Sequence, residues 1–308
     1  MKEAQATTEE ARAKKLDSPA LHVLEFWIAF LQNDGQGMSR QTAWAAGKPG
    51  IEDVLLASEA ATAAYFGRLS KAREFSRQAV TSSERAEEKE TAAGYQAEAA
   101  LREALFENPA EAGQRAAAAL GLSKGRDVQF AAALALAFAA HPKVLGSRPL
   151  DKAEQLADDL AKRFPEDTIA KFNYLPTIRA QLALSRNDAT QAIEALQTAS
   201  PYELGTTAQA YFNFLCLYPV YVRGEAYLAA RQGKEAAVEF QKILDHRGVV
   251  LNEPIGALAH LGLARAYALQ GDTAKAKAAY QDFFSLWKDA DPDIPVLRQA
   301  KSEYGNLK

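Results

Sequence analysis

Six small residues recur along this chain at a nearly constant step: Ala72, Ala112, Ala153, Ala192, Ala236 and Ala276, separated by 40, 41, 39, 44 and 40 residues. An internal period of this length constrains the fold more than any local motif. A unit of that size cannot bury its own apolar face and must stack on its neighbours. Around two of these positions the pattern is richer. His260, Leu263, Ala264 and Tyr267 are followed nine residues later by Ala276 and four later by Tyr280. Forty residues earlier Val220, Gly224, Tyr227, Ala236 and Phe240 repeat the skeleton, with the spacing from Tyr to Ala to aromatic unchanged. Turn signals at Asn33-Asp34-Gly35, Gly67, Asn108-Pro109, Asn187-Asp188, Gln232-Gly233 and Gly271-Asp272 fall within the units. Pro49-Gly50, Pro165, Pro201 and Pro254 separate them. Spacings such as Leu156, Leu160 and Phe164 are helical, and no segment alternates as a strand would.

This skeleton resembles the tetratricopeptide signature, a helix pair with a large residue, Leu, a small residue, Tyr, a small Ala and an aromatic at fixed offsets. The predicted fold is all-α: a tetratricopeptide-like right-handed superhelical solenoid of about seven helix pairs. The pairs are placed near 19–48, 51–82, 84–123, 127–165, 167–200, 206–246 and 255–290, with a capping helix over 294–307. A HEAT-like array is the architectural alternative, since the step exceeds 34 residues. Residues 8–16 read as the second helix of a pair whose first helix is missing, so that 1–17 is set apart from the solenoid of 18–308. Its apolar edge (Ala11, Ala13, Leu16) would seek cover, a second copy included. Two connections, 141–150 and 245–256, are longer than a repeat array requires, and long solenoid loops often belong to a binding face.

Composition narrows the function. With 36 basic and 39 acidic residues interleaved, the chain has a formal charge of −3 and no basic stripe for a nucleic-acid backbone. No stretch reaches the roughly 18 apolar residues needed to span a bilayer, and the first residues lack the apolar core of a signal peptide. The single cysteine, Cys216, lies in the apolar run 212–217 and reads as a buried structural thiol. A second, more specific resemblance rests on three runs: Tyr218 to Leu228, Phe240 to His246, and Leu286 to Pro295. Together they resemble the C-terminal tetratricopeptide region of acidobacterial-type serine/threonine protein kinases, and of the related winged-helix regulators. The resemblance implies a sensor or scaffold region of a longer signalling protein. It implies an extracytoplasmic place if a kinase domain and membrane helix precede it, and a cytoplasmic one if it stands free or follows a winged helix. Kinase activity does not carry over, because the chain has no Gly-rich phosphate loop, catalytic loop or Asp-Phe-Gly.

No catalytic constellation is predicted. His22, His141, His246 and His260 are not at metal-ligand spacing, and Asp245-His246-Arg247 reads as a helix end. The run Asp289, Asp291, Asp293 lacks the Gly and Glu of a calcium loop and reads as a solvated turn capping the last helix. No metal or cofactor is therefore expected. The aromatic cluster Tyr211, Phe212, Phe214, Tyr218, Tyr221 and Tyr227 is mostly core. The signature, however, points Tyr218, Tyr221 and Glu225, then Leu258, Leu261 and Arg265, into a concave groove, with Tyr174 and Gln181 as neighbours. Tyrosines beside an Arg and a Glu suit recognition of a peptide or protein partner. The predicted function is thus a non-catalytic interaction scaffold or sensor. A small-molecule-binding α-solenoid or accessory enzyme subunit is the alternative. If Ala276 marks a helix crossing, Ala276→Leu overpacks it and costs roughly 1–3 kcal/mol. Hydrogen exchange should then show the C-terminal pair fraying before the centre; uniform loss of protection from end to end would contradict a repeat array.

Overall fold

A computed structural model describes residues 2–140, 148–205 and 215–307. His141 with most of the 141–150 connection, and Tyr211, Phe212 and Phe214 of the aromatic cluster, lie outside the described residues. Every regular element described is helical. After α1 (Lys2–Ala13), helices follow in pairs: α2 (Pro19–Leu31) with α3 (Gly35–Ala45), α4 (Glu52–Tyr65) with α5 (Leu69–Arg85), and α6 (Lys89–Leu105) with α7 (Pro109–Leu122). Then come α8 (Arg126–Ala139) with α9 (Arg148–Arg163), and α10 (Leu175–Ser185) with α11 (Ala189–Ala195). Next are α12 (Tyr218–Ala229) with α13 (Gly233–Asp245), a short α14 (Arg247–Val250), α15 (Pro254–Leu269) with α16 (Thr273–Leu286), and α17 (Pro295–Gly305).

The six periodic alanines lie in the second helix of their pairs and are at most 1% exposed. In five of the six pairs the alanine is the fourth residue of that helix, one turn in, where a larger side chain would hold the two axes apart. The turn before the second helix is equally regular in six of the pairs. Asn33, Gly67, Glu107, Asn187, Arg231 and Gly271 each sit two residues before a second helix with φ between 58° and 78°. The next amide closes the helix end on the carbonyl five residues back, as in Arg68 to Ala63 at 2.8 Å and Asp272 to Tyr267 at 3.0 Å. Asp34, Asp188 and Asp272 then cap the following helix with their side chains. A short π segment, Ala170–Tyr174, leads into α10. Pro176 has no N–H to continue an α-helical ladder there, and the Leu175 amide bonds instead to the Ala170 carbonyl five residues back.

The first helices pack in succession, α6 on α8, α8 on α10, α10 on α12 and α12 on α15. The array then closes, because α15 returns to α4. Trp287, at the end of α16, buries its ring against Phe106 and donates its indole N–H to the Tyr65 carbonyl at 2.9 Å. Asn252 donates to the Ser58 carbonyl (2.9 Å) and the Thr62 hydroxyl (3.0 Å) on α4. The run read as a solvated turn over α17 is part of this seam. Asp291 accepts the Ser70 amide at the start of α5 (2.6 Å), its own amide donates to the Gly67 carbonyl (3.0 Å), and Asp289 pairs with Arg68. The N-cap of α17 is Ile294, which makes no side-chain cap bond. Likewise the 245–256 connection is not an exposed loop: it forms α14, and Asn252 and Glu253 are buried.

Gly67 sits at the centre of the seam. Its φ is +70°, and a Cβ there would lie 2.6 Å from the Ala290 Cβ and 2.7 Å from the Trp287 ring. Gly271 has the same turn geometry with nothing near it. Gly271→Ala should cost only the left-handed backbone strain of about 1–2 kcal/mol. Gly67→Ala should cost about 1–3 kcal/mol more through overpacking, with loss of amide protection at Ser70 and Asp291. Equal urea midpoints for the two variants would show that the seam does not bear on that glycine.

Candidate functional site

Closure decides which of the predicted groove side chains remain open to solvent. Tyr174, in the π segment, stacks on Phe130 (3.7 Å between ring centres) and donates to Asp127 at 2.8 Å. On α12, Tyr218 donates to Glu253 at 3.1 Å and Tyr221 packs edge-on against Phe240. On α15, Leu261 is buried and Arg265 forks onto Glu303 of α17 at 3.0 and 3.1 Å. Tyr280 donates to the same carboxylate. Glu225 is half-buried, with its pKa raised by desolvation. Gln181 on α10 is buried, and its Oε1 has no hydrogen-bond partner among the described residues. The structure thus gathers Tyr218, Tyr221, Glu225, Leu261 and Arg265 on α12 and α15 and places Tyr174 in the neighbouring π segment and Gln181 on α10, which follows it. It turns all but Glu225 and Arg265 into buried interior, and those two are only partly exposed.

Two buried charge networks stand behind this face, neither foreseeable from spacing. Arg223 lies between Glu203 and Glu239 at 2.7 and 2.6 Å, and Lys242 bonds Glu203 at 2.9 Å. Two cations against two acids leave that cluster neutral, as burial requires. At the seam the count differs. Arg102 bonds Ser76 at 3.0 Å and pairs with Glu98 at 3.5 Å, and both Glu98 and Glu253 feel its charge. One cation serves two acids. Burial, reinforced by Glu98, pushes the Glu253 carboxyl up to about 8. In the unfolded chain a glutamate loses its proton near about 4.3. Between these values the folded state holds the extra proton, so stability falls as pH rises through that window. The wild-type unfolding midpoint should decline from about pH 5 to about pH 9, and Glu253→Gln should make the decline shallower. An unchanged slope in the variant would remove Glu253 as its source.

The open concave surface lies at the other end. Between α1, α2 and α3 is a cleft of about 520 Å³. Gln5 and Arg12 line it from α1, Glu25 and Gln32 from α2, and Arg40 and Trp44 from α3. α3 is poor in apolar residues, so it buries little besides Gly37, Gln41 and Ala45 and leaves a polar wall. His22 stacks on Trp44 at 3.5 Å, with its ring nitrogens bonded to Gln41 (2.6 Å) and Asp17 (2.8 Å). Both ring nitrogens are thus engaged. Lys48 covers the other face of Trp44 at 3.4 Å. Arg12 forks onto Glu25, tying α1 to α2. Sequence reasoning assigned none of these residues to a site; the available signal was the polarity of 35–45 beside the aromatics of 19–31.

No protein-family model matches the chain, and no curated protein matches it. No group of three or more His, Cys, Asp or Glu side chains is placed to hold a metal among the described residues. No helix among them is long and apolar enough to cross a membrane.

Proposed function

We propose that this chain is a non-catalytic recognition module of the tetratricopeptide-like kind, a right-handed helical-repeat scaffold serving a larger bacterial signalling protein. Its partner is a peptide or protein segment held in the cleft between α1, α2 and α3. The observation that carries the reading is the contrast between the two concave faces. The inner face spends its tyrosines and its arginine on internal bonds. The N-terminal cleft also pairs its groups, Gln32 with Gln5 and Arg12 with Glu25, but most of them stay at the surface, where a partner can exchange for these bonds. Amide side chains bond the donors and acceptors of an extended backbone, and mixed charges select its side chains. The six buried alanines and their repeated turns support the repeat reading, because such arrays serve as binding surfaces.

The experiment is selection of peptides on the intact chain followed by affinity measurement on variants. Selected peptides should bind wild type and lose roughly tenfold or more with Arg40→Glu, an exposed position. Tyr218→Phe, inside the closed face, should leave affinity unchanged. Peptides insensitive to Arg40→Glu, or thermal stabilisation by small molecules alone, would overturn the reading.

A further inference from the structure

A second concavity, about 390 Å³, lies between the first pair and α4–α5. Its floor is apolar: Phe30 is buried, and Met38, Phe66 and Phe75 are half-buried. Two opposite charges stand on its walls, Glu59 from α4 and Lys71 from the first turn of α5.

Neither charge forms an ion pair among the described residues, and Lys71 acts on Glu59 only from a distance. Glu59 is largely withdrawn from water, and its one hydrogen bond is from the neutral Thr42 hydroxyl, which reaches Oε1 at 3.0 Å. Its Oε2 makes no hydrogen bond among the described residues, and desolvation raises its pKa. A partly desolvated carboxylate whose cation stands off is stabilised by a positive group brought into contact with it. Lys71 is exposed and forms no ion pair among the described residues, whereas nearby Arg68 is held by Asp289 across the seam. A cation in the first turn of a helix sits at the end that favours anions, so Lys71 together with the α5 dipole attracts a negative group. An apolar floor between an acceptor for a cation and a donor for an anion is complementary to one compact chemistry. That chemistry is an ammonium and a carboxylate carried close together on an apolar body. The volume lies within the range of small-ligand sites.

We propose that this crevice binds a free α-amino acid with a large apolar side chain. The ammonium goes to Glu59, the carboxylate to Lys71, and the side chain onto Phe66, Phe75 and Met38. The site is separate from the α1–α3 cleft and does not rest on peptide recognition there, so either can fail alone.

Isothermal titration of the full chain with L-phenylalanine, L-leucine and L-methionine tests it. Binding should saturate at millimolar concentration or below. It should weaken roughly tenfold or more in Glu59→Gln and in Lys71→Met, both checked for native circular dichroism. N-acetyl-L-phenylalanine lacks the ammonium and L-phenylalaninamide lacks the carboxylate; each should bind far more weakly, and L-alanine should fail for want of apolar area. Arg40→Glu should leave amino-acid binding intact. No heat with any apolar amino acid would overturn the proposal. So would equal binding of the two blocked analogues, undiminished affinity in both variants, or a Phe-containing dipeptide binding better than the free amino acid.

Discussion

The burial of Trp287 between Phe106 and the end of α4 is the contact on which the rest of the molecule depends. An open repeat array is close to one-dimensional: each pair meets only its neighbours, and its ends fray. Here the indole N–H finds the Tyr65 carbonyl, Asp291 caps α5, and Asn252 bonds α4. These bonds span about 190 to 220 residues of sequence. Such closure has an entropic cost that grows only slowly with loop length. A few buried contacts therefore suffice to hold it, and the last pair is not a free end.

Closure changes what the inward face is for. In an open superhelix Tyr218, Tyr221 and Arg265 would meet solvent and a partner. In this closed arrangement buried Tyr218 donates to Glu253, Tyr221 packs on Phe240, and Arg265, partly in water, forks onto Glu303. Where the mates do not balance, as with Arg102 facing both Glu98 and Glu253, the protein keeps a proton that an exposed pair would lose. Gln181 keeps an acceptor with no partner among the described residues.

The proposed recognition sites lie at the helices that closure leaves out. α1, α2 and α3 lie beyond α4 in the chain, with Val23, Phe26 and Leu55 forming a small core of their own at that junction. The junction leaves a polar cleft on one side and the charged, aromatic-floored crevice at Glu59 and Lys71 on the other. The cleft's ion pairs, such as Arg40 with Asp34, are exposed, and the crevice holds Glu59 and Lys71 apart, so a ligand can compete for these charges.

What the sequence by itself determined is local and periodic. The alanine step marked the helix crossings because only a small side chain lets two axes approach there. Gly67, Asn187 and Gly271 marked turns because their backbones enter the left-handed region. The polar run of α17 read correctly as a last helix. What only the tertiary structure decided is where the array ends up. The tilt between successive pairs is set by many small packing contacts, none with a signature of its own, and their sum brings residue 287 to residue 65. For that reason the inward positions were legible but their burial was not. Asp289 and Asp291 read as a surface turn because Arg68 and Ser70 are near them only in space. The open cleft could not be seen either, because it consists of the surface that closure leaves uncovered.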